Sequence, residues 1–281
     1  MTIVVTGATG HLGRAAVASL LDRGVPADQI VAVGRSVEKI QDLAHRGVVV
    51  RQASYDDPEA LRAAFAGAEK LLFVSGNEFG KRPQQHRNVV DAAKATGITK
   101  IVYTSAPHAD TSDMLLASDH RATEQALTES GIPSVFVRNS WYLENYDLAG
   151  ALERGLFGAA GDGKISIAPR TDYAEAAAAA VHSEGIDQQA YELGGEGVTL
   201  GELAAELSRQ SGREVTYTDL GPEGYAEFLV GAGVPKDIAA TLADTDRVAA
   251  RGALFTGTAD LEKLLGRPAT PLSEAIRVTL S

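Results

Sequence analysis

Short apolar runs alternate with helix-patterned stretches through the first half of the chain. Ile3-Val4-Val5 precedes a helical pattern from Leu12 to Arg23, Ile30-Val31-Ala32-Val33 precedes Val37 to His45, and Val48-Val49-Val50 precedes Pro58 to Ala66. Leu71-Leu72-Phe73-Val74 then precedes Pro83 to Thr96, and Ile101-Val102-Tyr103 precedes Ala117 to Ser130, which leads to Val135-Phe136-Val137. Unbroken apolar runs of this length suit strands covered on both faces. Strand, helix and strand repeated in this way predict right-handed βαβ units and a parallel sheet. The punctuation agrees. Asp57-Pro58 supplies an N-cap and a first-turn proline, Gly97 and Gly131 stand where helices should stop, and Thr199-Leu200-Gly201-Glu202 reads as a capping box.

Beyond Trp141 the alternation weakens, residues 141–185 are rich in Gly and Ala, and Tyr191-Glu192-Leu193 reads as one more strand. The pattern predicts a Rossmann-type, doubly wound parallel α/β sheet over residues 1–140, completed by a strand near 186–195. Residues 141–185 and 196–281 are read as a smaller C-terminal α/β lobe folded over the sheet's C-terminal edge.

Composition narrows the function. The 281 residues carry 26 Lys and Arg against 37 Asp and Glu, a net charge of −11, and no basic run, which disfavours nucleic acid as a partner. Cysteine is absent, so disulfides, thiolate nucleophiles and Cys-ligated metals are excluded. A strand at the very start of the sequence is not the pattern of a secretory signal, and a cytoplasmic location is expected. The longest apolar stretch, Ala174 to Val181, is interrupted by Glu175 and too short to span a bilayer, so no membrane association is expected.

The chemistry begins at Gly7-Ala8-Thr9-Gly10-His11-Leu12-Gly13, a Gly-x-x-Gly-x-x-Gly loop between a predicted strand and a predicted helix. One glycine permits the tight turn, one lets backbone approach a pyrophosphate, and one lets helix and strand pack closely. The phosphates would meet free N–H groups at a helix N-terminus. An NAD site usually places a carboxylate at the end of the second strand, but here that strand ends Val33-Gly34-Arg35-Ser36. The Arg35 fork suits a 2′-phosphate, and so NADPH; the plainer alternative is a solvated Arg35 beside a capping Ser36.

None of the eight tyrosines has Lys four residues later, so the Tyr/Lys acid–base dyad of short-chain dehydrogenases is missing. His120 and Glu124 fall on one helix face, as a proton-transfer pair or as a surface hydrogen bond. There is no Gly-x-Ser-x-Gly elbow and no His-x-x-x-His, which argues against a hydrolase and a catalytic zinc; no metal site is expected.

Together Val5–Gly13, Val33-Gly34-Arg35, Gln85-His86-Arg87-Asn88, Tyr103-Thr104-Ser105 and Arg138–Asn145 resemble the NmrA-like atypical short-chain dehydrogenases. Within them the likeness is to the bacterial type 2 NADPH quinone oxidoreductases and triphenylmethane reductases. It runs nearly end to end and includes Gly161-Asp162-Gly163 and Thr199-Leu200. The resemblance implies NADPH held by the glycine loop, Arg35, the strand tip Val74-Ser75-Gly76, and Asn139-Ser140-Trp141-Tyr142-Leu143-Glu144 passing near the nicotinamide. It also brings Arg170 toward the cofactor, where the alternative is a surface charge before a helix. It makes the missing dyad expected. A quinone takes hydride readily and its oxygens are protonated late, so positioning and exclusion of solvent suffice.

Tyr142, Trp141 and Phe79 are candidates for an aromatic wall against a flat ring, or for core. Tyr142 and His120 stand as the candidate catalytic residues. The leading expectation is an NADPH-dependent reductase of quinones or similar flat conjugated acceptors. The alternatives are an NADP(H)-sensing regulator without turnover, or a tailoring reductase or oxygenase of aromatic polyketides. Oligomeric state is left open, a homodimer being one option.

Overall fold

The structure, a computed structural model, describes every residue except Phe79, Asp187 and Ser281. The first half contains β1 (Ile3–Val5), α1 (His11–Asp22), β2 (Ile30–Gly34), α2 (Gln41–His45), β3 (Val49–Gln52), α3 (Pro58–Phe65), β4 (Lys70–Phe73), α4 (Arg82–Thr96), β5 (Lys100–Ser105), α5 (Leu115–Ser130) and β6 (Ser134–Asn139). Next come β7 (Trp141–Tyr142), α6 (Leu148–Arg154), β8 (Leu156–Gly158), β9 (Ile165–Ala168), α7 (Arg170–His182), β10 (Ala190–Leu193), β11 (Gly197–Val198) and α8 (Leu200–Ser211). The chain ends with β12 (Tyr217–Asp219), α9 (Gly221–Gly231), α10 (Lys236–Ala249), α11 (Ala259–Leu265) and α12 (Leu272–Leu280).

Seven strands form one parallel sheet in the order β10-β6-β5-β4-β1-β2-β3. The chain starts in the middle, winds outward through β2 and β3, then returns to add β4 on the other side of β1. That reversal opens a crevice at the carboxyl ends of β1 and β4, the place where such sheets bind ligands. Alternate strand residues serve the two faces. Ile3, Val5, Ile30, Leu72 and Val102 pack with α1 and α7, while Val4, Val31, Leu71, Phe73 and Ile101 pack with α3 and α4.

The expected caps are present. Asp57 accepts from the N–H groups of Glu59 and Ala60, and Thr199 and Glu202 form the reciprocal capping box. Gly97 and Gly131 adopt the left-handed conformation at the ends of α4 and α5.

The packing corrects the reading of residues 141–185. Their α7 belongs to the large sheet's core: Tyr173, Ala174, Ala176, Ala177, Ala178 and Ala180 are buried in one cluster with α1, α11 and the sheet. The alanine run is thus the packing surface of a helix enclosed on several sides, small enough to let α1 approach closely. Lys70 and Lys100, at the starts of β4 and β5, reach the carbonyls of His182 and Ala180 near the end of α7, where cations are favoured. A separate apolar cluster carries the rest of the chain's second half, with α6, α8, α12 and the small sheets β11-β9-β7 and β12-β8. No helix among the described residues is long and apolar enough to cross a membrane.

One buried carboxyl lies in this second cluster's region. Asp246 on α10 is 5% exposed, accepts from Ala159 N at 2.7 Å, and is pushed up to about 6 by burial, with Asp219 adding repulsion. Above that pH the folded protein holds a charge it disfavours, whereas the unfolded chain ionises freely near 3.8. Stability therefore falls as pH rises between the two values. Asp246→Asn keeps an acceptor for Ala159 and is expected to raise stability by roughly 2 kcal/mol at pH 8, shrinking to nothing near pH 4. Thermal melts at both pH values check it, and equal melting at pH 8 would remove the penalty.

Candidate functional site

A cleft of about 660 Å³ lies at the switch point. It is bounded by the glycine loop, the turn after β2, the strap 74–78 after β4, the loop after β5, and the segment 139–142.

Gly7 takes φ +63°, which turns the chain out of β1 into α1. Ala8 N–H donates to Val33 O at 3.0 Å and Gly10 N–H to Gly7 O at 2.9 Å, fixing the turn against β2. No side chain caps α1, so its first N–H groups are presented to the cleft beside Gly10, His11, Leu12 and Gly13. A Cβ on Gly13 would lie 2.6 Å from the Gly7 carbonyl carbon and 2.9 Å from Ala8 N. The turn and the helix start thus pack backbone against backbone, with no side chain between them. Ala8 itself turns inward: its side chain is core, and it does not line the cleft.

At the far end Arg35 and Ser36 line the cleft, joined by Lys39, which the sequence reading missed. Lys39 lies in the short turn that follows Ser36, four residues after Arg35. Arg35 is paired with Glu78 of the strap, which also meets Lys81 at 3.4 Å. With no carboxylate at the tip of β2, this end is built for an anion, with Glu78 covering Arg35.

The strap is held tightly. The Tyr55 hydroxyl lies 2.6 Å from Val74 O and 2.7 Å from Thr6 Oγ1, Ser75 N–H donates to Thr104 Oγ1 at 2.9 Å, and Gly76 N–H donates to His86 Nε2 at 2.9 Å. Buried Arg82 donates to Gly76 O at 2.7 Å. Burial, with Arg82 close by, pushes His86 down to about 3, so its ring is neutral and free to accept. Tyr55 was another omission: it comes from the loop after β3, far from Val74 in sequence.

Across the cleft, Asn139 at the end of β6 donates through Nδ2 to Tyr142 Oη at 3.0 Å, while its buried Oδ1 has no hydrogen-bond partner among the described residues. Asn139, Ser140, Trp141 and Tyr142 all line the cleft. The Tyr142 ring meets Tyr173 edge-on, and the Arg170 guanidinium lies 5.4 Å from its centroid. Arg170 therefore reaches the cleft rather than solvent alone. Burial raises the Tyr142 phenol, so it stays protonated. Leu143 and Glu144 do not follow their neighbours. Leu143 is fully buried in the second core, and Glu144 accepts from Arg170 N–H at 3.0 Å at the N-terminus of α7. Phe79, the third candidate for an aromatic wall, lies outside the described residues.

The His120–Glu124 pair is not formed. Both residues are buried, which rules out a surface hydrogen bond, and each is held by other partners. His120 Nδ1 lies 2.8 Å from Tyr103 Oη, and the ring lines the cleft. Glu124 is taken by Arg138, at 2.9 and 2.7 Å, and by Ser105 Oγ at 2.6 Å. A buried carboxylate prefers the charged fork of Arg138 to a neutral imidazole. Burial and the nearby Arg82 and His86 hold His120 well below the usual histidine range.

A parallel sheet open at its switch point, above an uncapped helix and a three-glycine turn, defines a Rossmann-type nucleotide-binding protein. The chain belongs to the NAD(P)H-binding family, which matches residues 7–184. It is 49% identical over 278 residues to quinone oxidoreductase 2 of Escherichia coli (strain K12), spanning 98% of this chain and 97% of that one. It is 30% identical over 293 residues to an NmrA-like family domain-containing oxidoreductase of Aspergillus flavus, across 100% and 95% of the two chains, so the NmrA-like resemblance holds. An NADPH complex of the E. coli NADPH-dependent quinone oxidoreductase superposes with a TM-score of 0.96 at 48% identity over 100% of both chains. The NADP(H) complex of Citrobacter triphenylmethane reductase gives 0.93 at 39% identity over 99% of both.

Proposed function

We propose that the chain is an NADPH-dependent reductase passing hydride to quinones or similarly flat conjugated acceptors. The carrying observation is a cleft with cations at one end and an orphaned amide oxygen at the other. Arg35 and Lys39 would hold the 2′-phosphate, with Glu78 released from Arg35; the first turn of α1 would hold the pyrophosphate; and Asn139 Oδ1 would accept from the carboxamide. The relatives' names, quinone oxidoreductase and triphenylmethane reductase, support the same reading.

When bound, the nicotinamide supplies hydride to the acceptor. The chain's own work is positioning. Trp141, Met114, Leu116 and Leu254 supply apolar lining that excludes water, and Tyr142 and His120 present protonated, neutral side chains to the same space. Among cleft-lining groups, none has the low-pKa phenol of a Tyr/Lys dyad, which suits an acceptor that needs little acid help. A cysteine-free sequence suits the reducing cytoplasm, where we place the enzyme.

The test is NADPH oxidation with a panel of simple quinones, alongside Arg35→Glu. Wild type is expected to turn over, and the variant to lose about 100-fold in kcat/KM for NADPH while changing little with NADH. Tight NADPH binding without turnover on any quinone would overturn the reductase and favour the sensing role.

A further inference from the structure

The hydrogen bonds behind the cleft fix the proton on one buried histidine and constrain it on a second. Gly76 N–H donates to His86 Nε2, so His86 carries its proton on Nδ1 and gives it to Thr123 Oγ1 at 2.8 Å. Thr123 donates in turn to Asp119 O at 2.8 Å. Tyr103 is fully buried, and its hydroxyl lies 2.8 Å from His120 Nδ1. Tyr103 also interacts with Thr123, but the Thr123 oxygen already accepts from His86, which leaves Nδ1 as the better acceptor for the Tyr103 proton. His120 then carries its own proton on Nε2, the nitrogen left to face a ligand in the cleft that its ring lines.

Resting on the reductase reading above, we propose that Tyr103 is a positioning residue that holds His120 as the Nε2–H tautomer, aiming one neutral hydrogen-bond donor at the acceptor's carbonyl oxygen. Hydride delivered to one quinone oxygen forms its O–H bond; both C=O π bonds break as the ring becomes aromatic, and the electron pair comes to rest on the opposite oxygen, the one facing His120. His120 stabilises that charge and keeps its own proton; a proton from water completes the hydroquinone. The charged and titratable groups around the ring are Arg82 and His86 from α4, Tyr103 from β5, and Asp119 and Glu124 from α5. Arg82 and burial keep the imidazole neutral, so it acts as a dipole and not as an imidazolium acid.

The experiment combines ring-nitrogen NMR with a double-mutant cycle on the full chain. The expected spectrum shows His120 protonated on Nε2 alone and still neutral at pH values where a free histidine has taken up its charge. Tyr103→Phe is expected to give mixed tautomers and to lower kcat about tenfold, leaving KM for NADPH unchanged. His120→Gln presents an amide donor that needs no tautomer, so adding Tyr103→Phe to it should cost nothing further. A proton on Nδ1, an imidazolium at neutral pH, or an equal cost of Tyr103→Phe in both backgrounds overturns the assignment. The tautomer is read without turnover. A protein inert towards every quinone but carrying Nε2–H would sink the reductase reading and not the Tyr103–His120 geometry.

Discussion

Gly13→Ala is expected to weaken NADPH binding at least about 100-fold and to destabilise the fold by about 1–3 kcal/mol. The reason is local and rigid. The added methyl would sit 2.6 Å from the Gly7 carbonyl carbon and 2.9 Å from Ala8 N, all backbone of the turn that lines the cleft. No flexible side chain is present to yield, so either α1 or the turn must move. Neither moves cheaply: α1 is packed on α7 through Ala16, Val17 and Leu20, and the turn is tied to β2 by Ala8 N–H and Val33 O. Gly10→Ala is the control, because its Cβ would meet Gly7 O at 3.3 Å, a tight contact that a small shift relieves. Calorimetric titration of NADPH into both variants decides the point. Wild-type affinity in Gly13→Ala would mean that close approach at this glycine is not needed.

The second large effect is expected at Arg138. Its guanidinium makes two hydrogen bonds to Glu124 on α5, one to Glu192 on β10 at 2.9 Å and one to Asp110 at 3.0 Å. Arg138 and Glu124 are nearly buried, their side chains 9% and 8% exposed. Glu192 also accepts from His108 N–H, at 3.0 Å, in the loop that follows β5 and contributes Ala106 and Pro107 to the cleft. Arg138→Leu leaves Glu124 charged and unpaired in the interior, at a cost of about 3–5 kcal/mol, which corresponds to roughly a 10 °C fall in Tm. Lysine is expected to rescue little, since it cannot make the paired contact to Glu124. Arg138→Leu combined with Glu124→Gln should recover part of the loss, because the stranded charge is gone. Thermal unfolding of the three variants checks this. A double variant no more stable than Arg138→Leu alone would show that the stranded Glu124 charge is not the source of the loss.

Much of this protein was legible along the chain. The apolar runs located the inner strands of the large sheet, because a strand buried on both faces must be apolar throughout, while the edge strand at Tyr191-Glu192-Leu193 showed as an alternation, one face covered and one not. Asp57-Pro58 and Thr199–Glu202 marked helix starts correctly, because capping acts within three or four residues. The glycine loop and the missing carboxylate after β2 pointed to the cleft and to its cationic end for the same reason: a turn, a helix start and a strand tip are contiguous in sequence.

What sequence alone could not decide was partnership across distance. Helical spacing put His120 beside Glu124, yet the fold gives His120 to Tyr103 and Glu124 to Arg138, because burial rewards the charged pair over the near neighbour. The alanine-rich stretch read as part of a lobe became α7 in the main core, since only the assembled sheet and α1 present a surface needing so small a helix. Leu143 and Glu144 follow Tyr142 directly yet leave the cleft, one to fill the second core and one to cap α7. Tyr55 and Lys39 enter the site from two different connections and Arg82 from the start of α4. Propensity, capping and periodicity act over a few residues and are written locally; burial, ion pairing and the aim of a side chain depend on which distant segments share the interior, and that exists only once the chain has folded.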